Sequence, residues 1–150
     1  MYIRYVKECS KGDGKLGLYF TVKKNYGLEP YLMSNIKVEW KRAIAKLRLS
    51  SHPFPVETQR KLNIPRTMRT CTLCRNGKVG DEYHYLFECT ACDILRIRTE
   101  LCDRLVSINS AFKQLDSKCQ FQYLLSLADR ETWVWLGVAL VKLYKVVKRV

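Results

Sequence analysis

The sequence predicts a mainly α fold: a small helical domain stapled by a metal-binding turn, with a short strand segment near the N-terminus. Three observations carry this expectation. Apolar residues recur at three- and four-residue steps around 39–49, 91–108 and 131–148. The stretch RTCTLCRNGKVGDEYHYLFECTAC, residues 69–92, gathers four of the seven cysteines and one of the two histidines. Glycine and proline number only seven and four in 150 residues, which argues against a disordered or low-complexity linker.

A chain of this length buries enough surface to form one globular unit. Three parts are expected within it: an N-terminal segment (1–38), a basic helix with the cysteine-rich module (39–108), and C-terminal helices (109–150). Residues 1–15 scatter their charges and lack an apolar run followed by small residues, so they do not read as a secretory signal. The thiols are therefore expected to be reduced and the protein intracellular, cytoplasmic or nuclear. Trp133 to Val141 is an apolar run of nine residues, well short of the roughly 20 that cross a bilayer. No membrane partner is expected.

Taken in order, the first element is the least legible. Tyr2, Ile3, Tyr5 and Val6 read as a short extended segment before the turn KGDGK, and Leu16, Leu18, Tyr19, Phe20 and Val22 as a helix after it. KGDGKL lacks the spacing and the Ser or Thr of a phosphate loop. From Glu39 to Leu49, Trp40, Ala43, Ile44 and Leu47 share one face, and Lys41, Arg42, Lys46 and Arg48 are expected on the other. Ser50-Ser51-His52-Pro53 is expected to end this helix after Leu49, Pro53 disfavouring helical geometry at His52, and Pro53, Pro55 and Pro65 to hold 52–70 extended. After the cysteines, a helix is expected over 91–108 with Ile97 off its apolar stripe, a short one over 121–127, and a last one over 131–148. That last helix places Trp133, Leu136, Leu140, Leu143, Tyr144 and Val147 on one face.

Charge gives the second functional signal. The net charge is +13, and residues 37–78 hold eleven Lys or Arg against two Glu, an excess of nine. Such a field attracts a polyanion, RNA or DNA, and makes its binding salt-dependent. The candidate contacts are Lys41, Arg42, Lys46, Arg48, Arg60, Lys61, Arg66, Arg69, Arg75 and Lys78, with Tyr83 or Tyr85 available to stack on bases. The plainer reading of the same charge is a solubilising surface.

Cys71-x2-Cys74 followed by His84-x4-Cys89 offers four nitrogen and sulfur ligands, the set that zinc takes in a tetrahedron. Gly77 and Gly80 fall where the chain must reverse, and Asp81 is placed to cap a helix carrying His84 and Cys89. Cys71-x2-Cys74 with Cys89-x2-Cys92 suits zinc as well, and spacing does not choose between the two sets. Either leaves no open coordination position, so one structural zinc ion is expected, not a catalytic one.

The stretch KLRLSSHPFPVETQRKLNIPRTMRTCTLCRNGKVGDEYHYLFECTACDILR resembles the zinc-binding region downstream of the polymerase in reverse transcriptases of non-LTR (LINE-like) retrotransposons of animals. NYGLEPYL also looks like that family. The resemblance runs over about residues 15–98 and is most specific in LRLSSH, the CxxC turn and DEYHYLFEC. It implies a CCHC ligand set of Cys71, Cys74, His84 and Cys89. Cys92, where such relatives carry an aromatic residue, is a departure that keeps the four-cysteine set as an alternative. It also implies contacts with RNA or DNA during reverse transcription and a polymerase domain as a partner.

No polymerase chemistry is expected from this chain. A polymerase holds two metal ions on paired carboxylates, whereas Asp13, Asp81, Asp93, Asp103, Asp116 and Asp129 are dispersed. No Ser sits in a Gly-flanked elbow, and a Cys nucleophile would need His52 as its base. Two functions remain: a non-catalytic nucleic-acid-binding module, or a zinc-stabilised protein-interaction module docking through its Trp- and Leu-rich C-terminal helices.

Overall fold

The computed structural model describes residues 17–23, 27–126 and 129–149, and all structural statements concern these. The expected N-terminal strand segment and the KGDGK turn lie outside them. The fold is mainly α, with helices α1 (Gly17–Val22), α2 (Pro30–Met33), α3 (Val38–Arg48), α4 (Pro55–Thr58), α5 (Cys92–Ile108), α6 (Ser117–Ser126) and α7 (Arg130–Lys148). No strand forms among the described residues beyond one isolated antiparallel bridge, Thr70 to Val79.

Helix α7 is the central element, packed on α3 along one side and α5 along the other. Its start is fixed by Asp129, whose carboxylate accepts from the Thr132 amide (2.8 Å) and hydroxyl (2.9 Å). Glu131 in the first turn and Lys145 and Lys148 in the last complement the helix dipole. Leu136, Leu140 and Leu143 are fully buried. The Leu part of the stripe is thus taken up inside this chain, with Trp133 partly buried against it. At Gly137 the backbone meets Trp40 so closely that a Cβ would lie 2.5 Å from the Trp40 Cβ. Farther along, the Tyr144 hydroxyl donates to the Ala43 carbonyl (3.0 Å), tying α7 to α3 again.

Three expectations need correction here. Helix α3 ends before Pro53 acts: Ser50 takes a left-handed conformation (φ +49), Ser50 N–H bonds Leu47 C=O (3.2 Å), and Ser51 N–H bonds Lys46 C=O (2.8 Å). This is a Schellman cap with serine in the usual glycine place. Residues 52–70 are not extended, because Pro55 starts α4 in its first turn and two 3-10 turns follow at Arg60–Leu62 and Arg66–Met68. In α5 the buried stripe is Ile94, Ile97, Leu101 and Leu105, so Ile97 belongs to it and the exposed Leu95 does not.

One apolar core joins these helices to the cysteine-rich module. Cys71, Tyr85, Leu86 and Cys89 are continuous with Ile44, Leu47, Leu140 and Leu143. An aromatic stack forms the seam: Phe54 lies 4.4 Å from Tyr85 and 5.5 Å from Tyr144, ring to ring, with His52 4.6 Å from Phe54. No helix among the described residues is long and apolar enough to cross a membrane.

Candidate metal centre

The first two cysteines sit on a tight reversal. Cys71 N–H donates to Lys78 C=O and Gly80 N–H to Arg69 C=O, each at 2.9 Å, around the Thr70 to Val79 bridge. Between them Arg75 (φ +53) and Gly77 (φ +76) supply the left-handed residues that turn the chain, and the Asn76 side chain accepts from Lys78 N–H. Gly80 serves a different end: a Cβ there would lie 2.9 Å from the Pro55 ring. It lets α4 dock on the reversal, where Val56 N–H bonds Gly80 C=O.

The other two ligands come from a short helical segment. Asp81 accepts from His84 N–H (2.9 Å), in the capping role its position suggested. Residues His84–Glu88 then form a π-turn, closed by Cys89 N–H on His84 C=O at 2.7 Å. Residues five apart on an α-helix point about 140° away from each other. A turn closed by an i to i+5 bond brings them back to one side. This widened turn is what lets a His-x4-Cys spacing place both side chains on one centre.

The donor atoms of Cys71, Cys74, His84 and Cys89 all lie within 4.8 Å of one another and form a cluster that can hold a metal ion. Cys71 Sγ is 3.9 Å from Cys89 Sγ, and Cys74 Sγ is 3.4 Å from His84 Nε2. Cys92, the alternative ligand, is exposed on the first turn of α5 and is not among the atoms brought together.

The four donors differ in their electrostatic surroundings. Burial pushes the Cys89 thiol up to about 12. Burial also opposes ionisation of Cys74, but backbone N–H groups of Asn76 and Thr90 and the neighbouring thiols outweigh it and hold Cys74 below its usual value. Burial keeps the His84 imidazole below its usual value, hence in the neutral form that can ligate. Its second nitrogen, Nδ1, faces Glu88 Oε2 at 3.5 Å, and Glu88 is in turn held by Lys78 at 3.1 Å. Tyr85 Oη lies 3.3 Å from Cys71 Sγ. Tyr85 thus backs Cys71, whereas Glu88 lies beside His84 Nδ1 without a hydrogen bond to it. Sequence reasoning passed over Glu88, although a carboxylate four residues after a ligating His on a helical segment was a readable signal.

The cationic candidates divide into three groups, with Arg48 apart from all of them. Arg42, Lys46, Lys61 and Arg75 are exposed and make no ion pair with a described residue. Arg60, Arg66 and Lys78 are exposed or half-buried but paired with Glu57, Asp81 and Glu88. Lys41 donates to the Leu32 carbonyl, and Arg69 is drawn inward, donating to Ile64 C=O (2.7 Å) and Val56 C=O (3.0 Å). Arg48 departs from expectation altogether. It is 4 % exposed, with its guanidinium on Glu29 Oε1 (3.1 Å) and the Leu125 carbonyl. Its place beside the buried Leu47 at the last turn of α3 turns it into the fold, away from the solvent-facing cations. Of the two tyrosines, Tyr85 is fully buried, and Tyr83 is partly buried against Phe87 and Phe121.

No family model, no curated protein and no solved structure matches the chain.

Proposed function

We propose that the chain is a non-catalytic, zinc-stapled nucleic-acid-binding module of the kind found downstream of retrotransposon reverse transcriptase domains. The observation that carries the reading is the closed four-ligand cluster in a chain that keeps Arg42, Lys46, Lys61 and Arg75 exposed and without an ion pair among the described residues. Zinc is the ion the donor set favours. With Zn–S near 2.3 Å and Zn–N near 2.0–2.1 Å, a tetrahedron has edges of about 3.8 Å between sulfurs and about 3.6 Å from sulfur to nitrogen, close to the 3.9 Å and 3.4 Å found. Four protein ligands leave no position for a water nucleophile, so the ion's contribution is to hold the reversal and the π-turn together. Arg42, Lys46, Lys61 and Arg75 supply the phosphate contacts.

The test is fluorescence anisotropy with labelled RNA and DNA oligonucleotides, together with metal content by mass spectrometry. Four phosphate contacts give a salt slope of about −3, so a fourfold rise in salt weakens binding by about 50- to 150-fold. Binding indifferent to that change overturns the reading, as does a folded protein that holds no metal. A protein-interaction module docking through the C-terminal helices has less to stand on, since the Leu136, Leu140 and Leu143 face is covered within the chain.

A further inference from the structure

The four donors of the metal centre are unequally shielded. Cys71, His84 and Cys89 are 2 %, 1 % and 0 % exposed. Cys74 is half-buried, and the three residues after it, Arg75, Asn76 and Gly77, are all exposed. Cys71 and Cys89 lie within the apolar core, and the Tyr85 hydroxyl stands 3.3 Å from Cys71 Sγ. A small reagent dissolved in water therefore meets one donor sulfur of the cluster first, that of Cys74.

That sulfur has a second one within reach. All four donor atoms lie within 4.8 Å of one another. Cys71 is the partner that stays near however the segments shift, because two residues separate it from Cys74 on the same reversal. Cys89 closes the π-turn and meets Cys74 only while that segment is docked on the reversal. Cysteines that ligate zinc are thiolates, the nucleophilic form. Cys92 and Cys119 are exposed as well, but neither belongs to the cluster.

We propose that Cys74 is an oxidation site for hydrogen peroxide, with Cys71 as its resolving thiol, and that the disulfide they form releases the ion. Cys74 Sγ attacks one peroxide oxygen and the O–O bond breaks. The departing hydroxide takes a proton and leaves as water, and the sulfur, oxidised by two electrons, becomes a sulfenic acid. Cys71 Sγ then attacks that sulfur, an S–S bond replaces the S–O bond, and a second hydroxide leaves as water. Two thiolates, one peroxide and two protons thus give one disulfide and two waters. With two of the four donors consumed, His84 and Cys89 alone do not complete a zinc site. The inference rests on the zinc-stapled part of the reading above and not on nucleic-acid contact; it makes the staple releasable.

The experiment treats the zinc-loaded full chain with hydrogen peroxide and follows released zinc with a chromogenic chelator. Dimedone added in a parallel reaction traps sulfenic acid, and peptide mass spectrometry places the adduct and any disulfide. The first adduct is expected on Cys74. Without dimedone, zinc release should run in step with a disulfide between Cys71 and Cys74, and a dithiol reductant with added zinc should restore the centre. Cys74→His keeps a set of two cysteines and two histidines that zinc accepts, and should slow release by at least about tenfold. Cys92→Ser should leave the rate unchanged. Release that Cys74→His does not slow overturns the proposal, as does a first disulfide between other cysteines. Should that variant hold no zinc, the first adduct on the native chain decides: Cys74 upholds the proposal, Cys71 or Cys89 overturns it. Zinc retained after Cys92 and Cys119 have been oxidised overturns the oxidation site and leaves the metal centre standing. A native chain that takes up no zinc before peroxide is added overturns both.

Discussion

His52 Nε2 donates to Glu82 Oε1 at 2.8 Å across a buried seam between the segment after α3 and the segment that carries His84. The tautomer follows from the other nitrogen, since Nδ1 accepts from Phe54 N–H at 3.4 Å. One histidine thus bridges the helical layer and the metal-binding module. Removing it would leave a buried carboxylate without its donor. His52→Ala is expected to destabilise the protein by about 2–4 kcal/mol, and His52→Gln by less, as read by urea unfolding of the zinc-loaded chain.

The same pair sets a pH dependence. Burial works against ionisation of Glu82, but hydrogen bonding, first of all from His52, outweighs it and holds the carboxyl below its usual value of 4.5. A carboxylate whose folded value is depressed stabilises the fold fully above its unfolded value, and that contribution is lost as pH falls through the folded value. The fall in melting temperature between pH 5 and pH 3 should therefore be steeper for the native chain than for Glu82→Gln. Parallel slopes would refute the assignment.

Metal content distinguishes the two ligand sets. His84→Ala is expected to lose the bound ion, and Cys92→Ala to keep one ion per chain, by mass spectrometry of the intact protein. Glu88→Gln should retain the ion but weaken its binding by up to about tenfold in a chelator competition, because the carboxylate 3.5 Å from Nδ1 favours a proton on that nitrogen and leaves Nε2 to ligate.

Helix α7 tolerates no side chain at Gly137. Gly137→Ala places a methyl group against the Trp40 side chain, and the expected loss is about 1–3 kcal/mol despite the better helix propensity of alanine. A melting temperature raised by this substitution would contradict the close packing of α3 on α7.

Arg48 and Arg42, both on α3, should separate cleanly. Arg48→Met leaves the Leu125 carbonyl without its donor and Glu29 paired with Lys23 alone, and is expected to cost about 2–3 kcal/mol of stability, with nucleic-acid affinity per folded molecule unchanged. Arg42→Ala should leave stability within about 0.5 kcal/mol and weaken nucleic-acid binding.

The long helices were legible because apolar periodicity is a direct record of a buried face: Ile44 and Leu47 in α3 and Leu136, Leu140 and Leu143 in α7 fall where the spacing placed them. Cys71, Cys74 and Cys89 were legible through ligand type and spacing, but spacing left His84 and Cys92 level as the fourth donor, and His84 was singled out only by the family resemblance. The π-turn was not, because a widened turn leaves no periodic signature over five residues. Arg48 was misread for a related reason. A cation at the last turn of a helix normally faces water, and only the tertiary position of Glu29 and Leu125 turns it inward. The run from Pro53 to Pro65 was misread because a proline that cannot continue a helix is well suited to begin one.

Arg98, one and a half turns into α5, donates to the Cys89 carbonyl at 2.8 Å. That oxygen belongs to a metal-site residue, so a chelator acting on the centre would disturb the anchor of a helix that forms one flank of the core. Amide exchange in residues 92–98 would then quicken on zinc removal, and the ion's occupancy would be felt as stiffness in a part of the molecule that contributes no ligand to it.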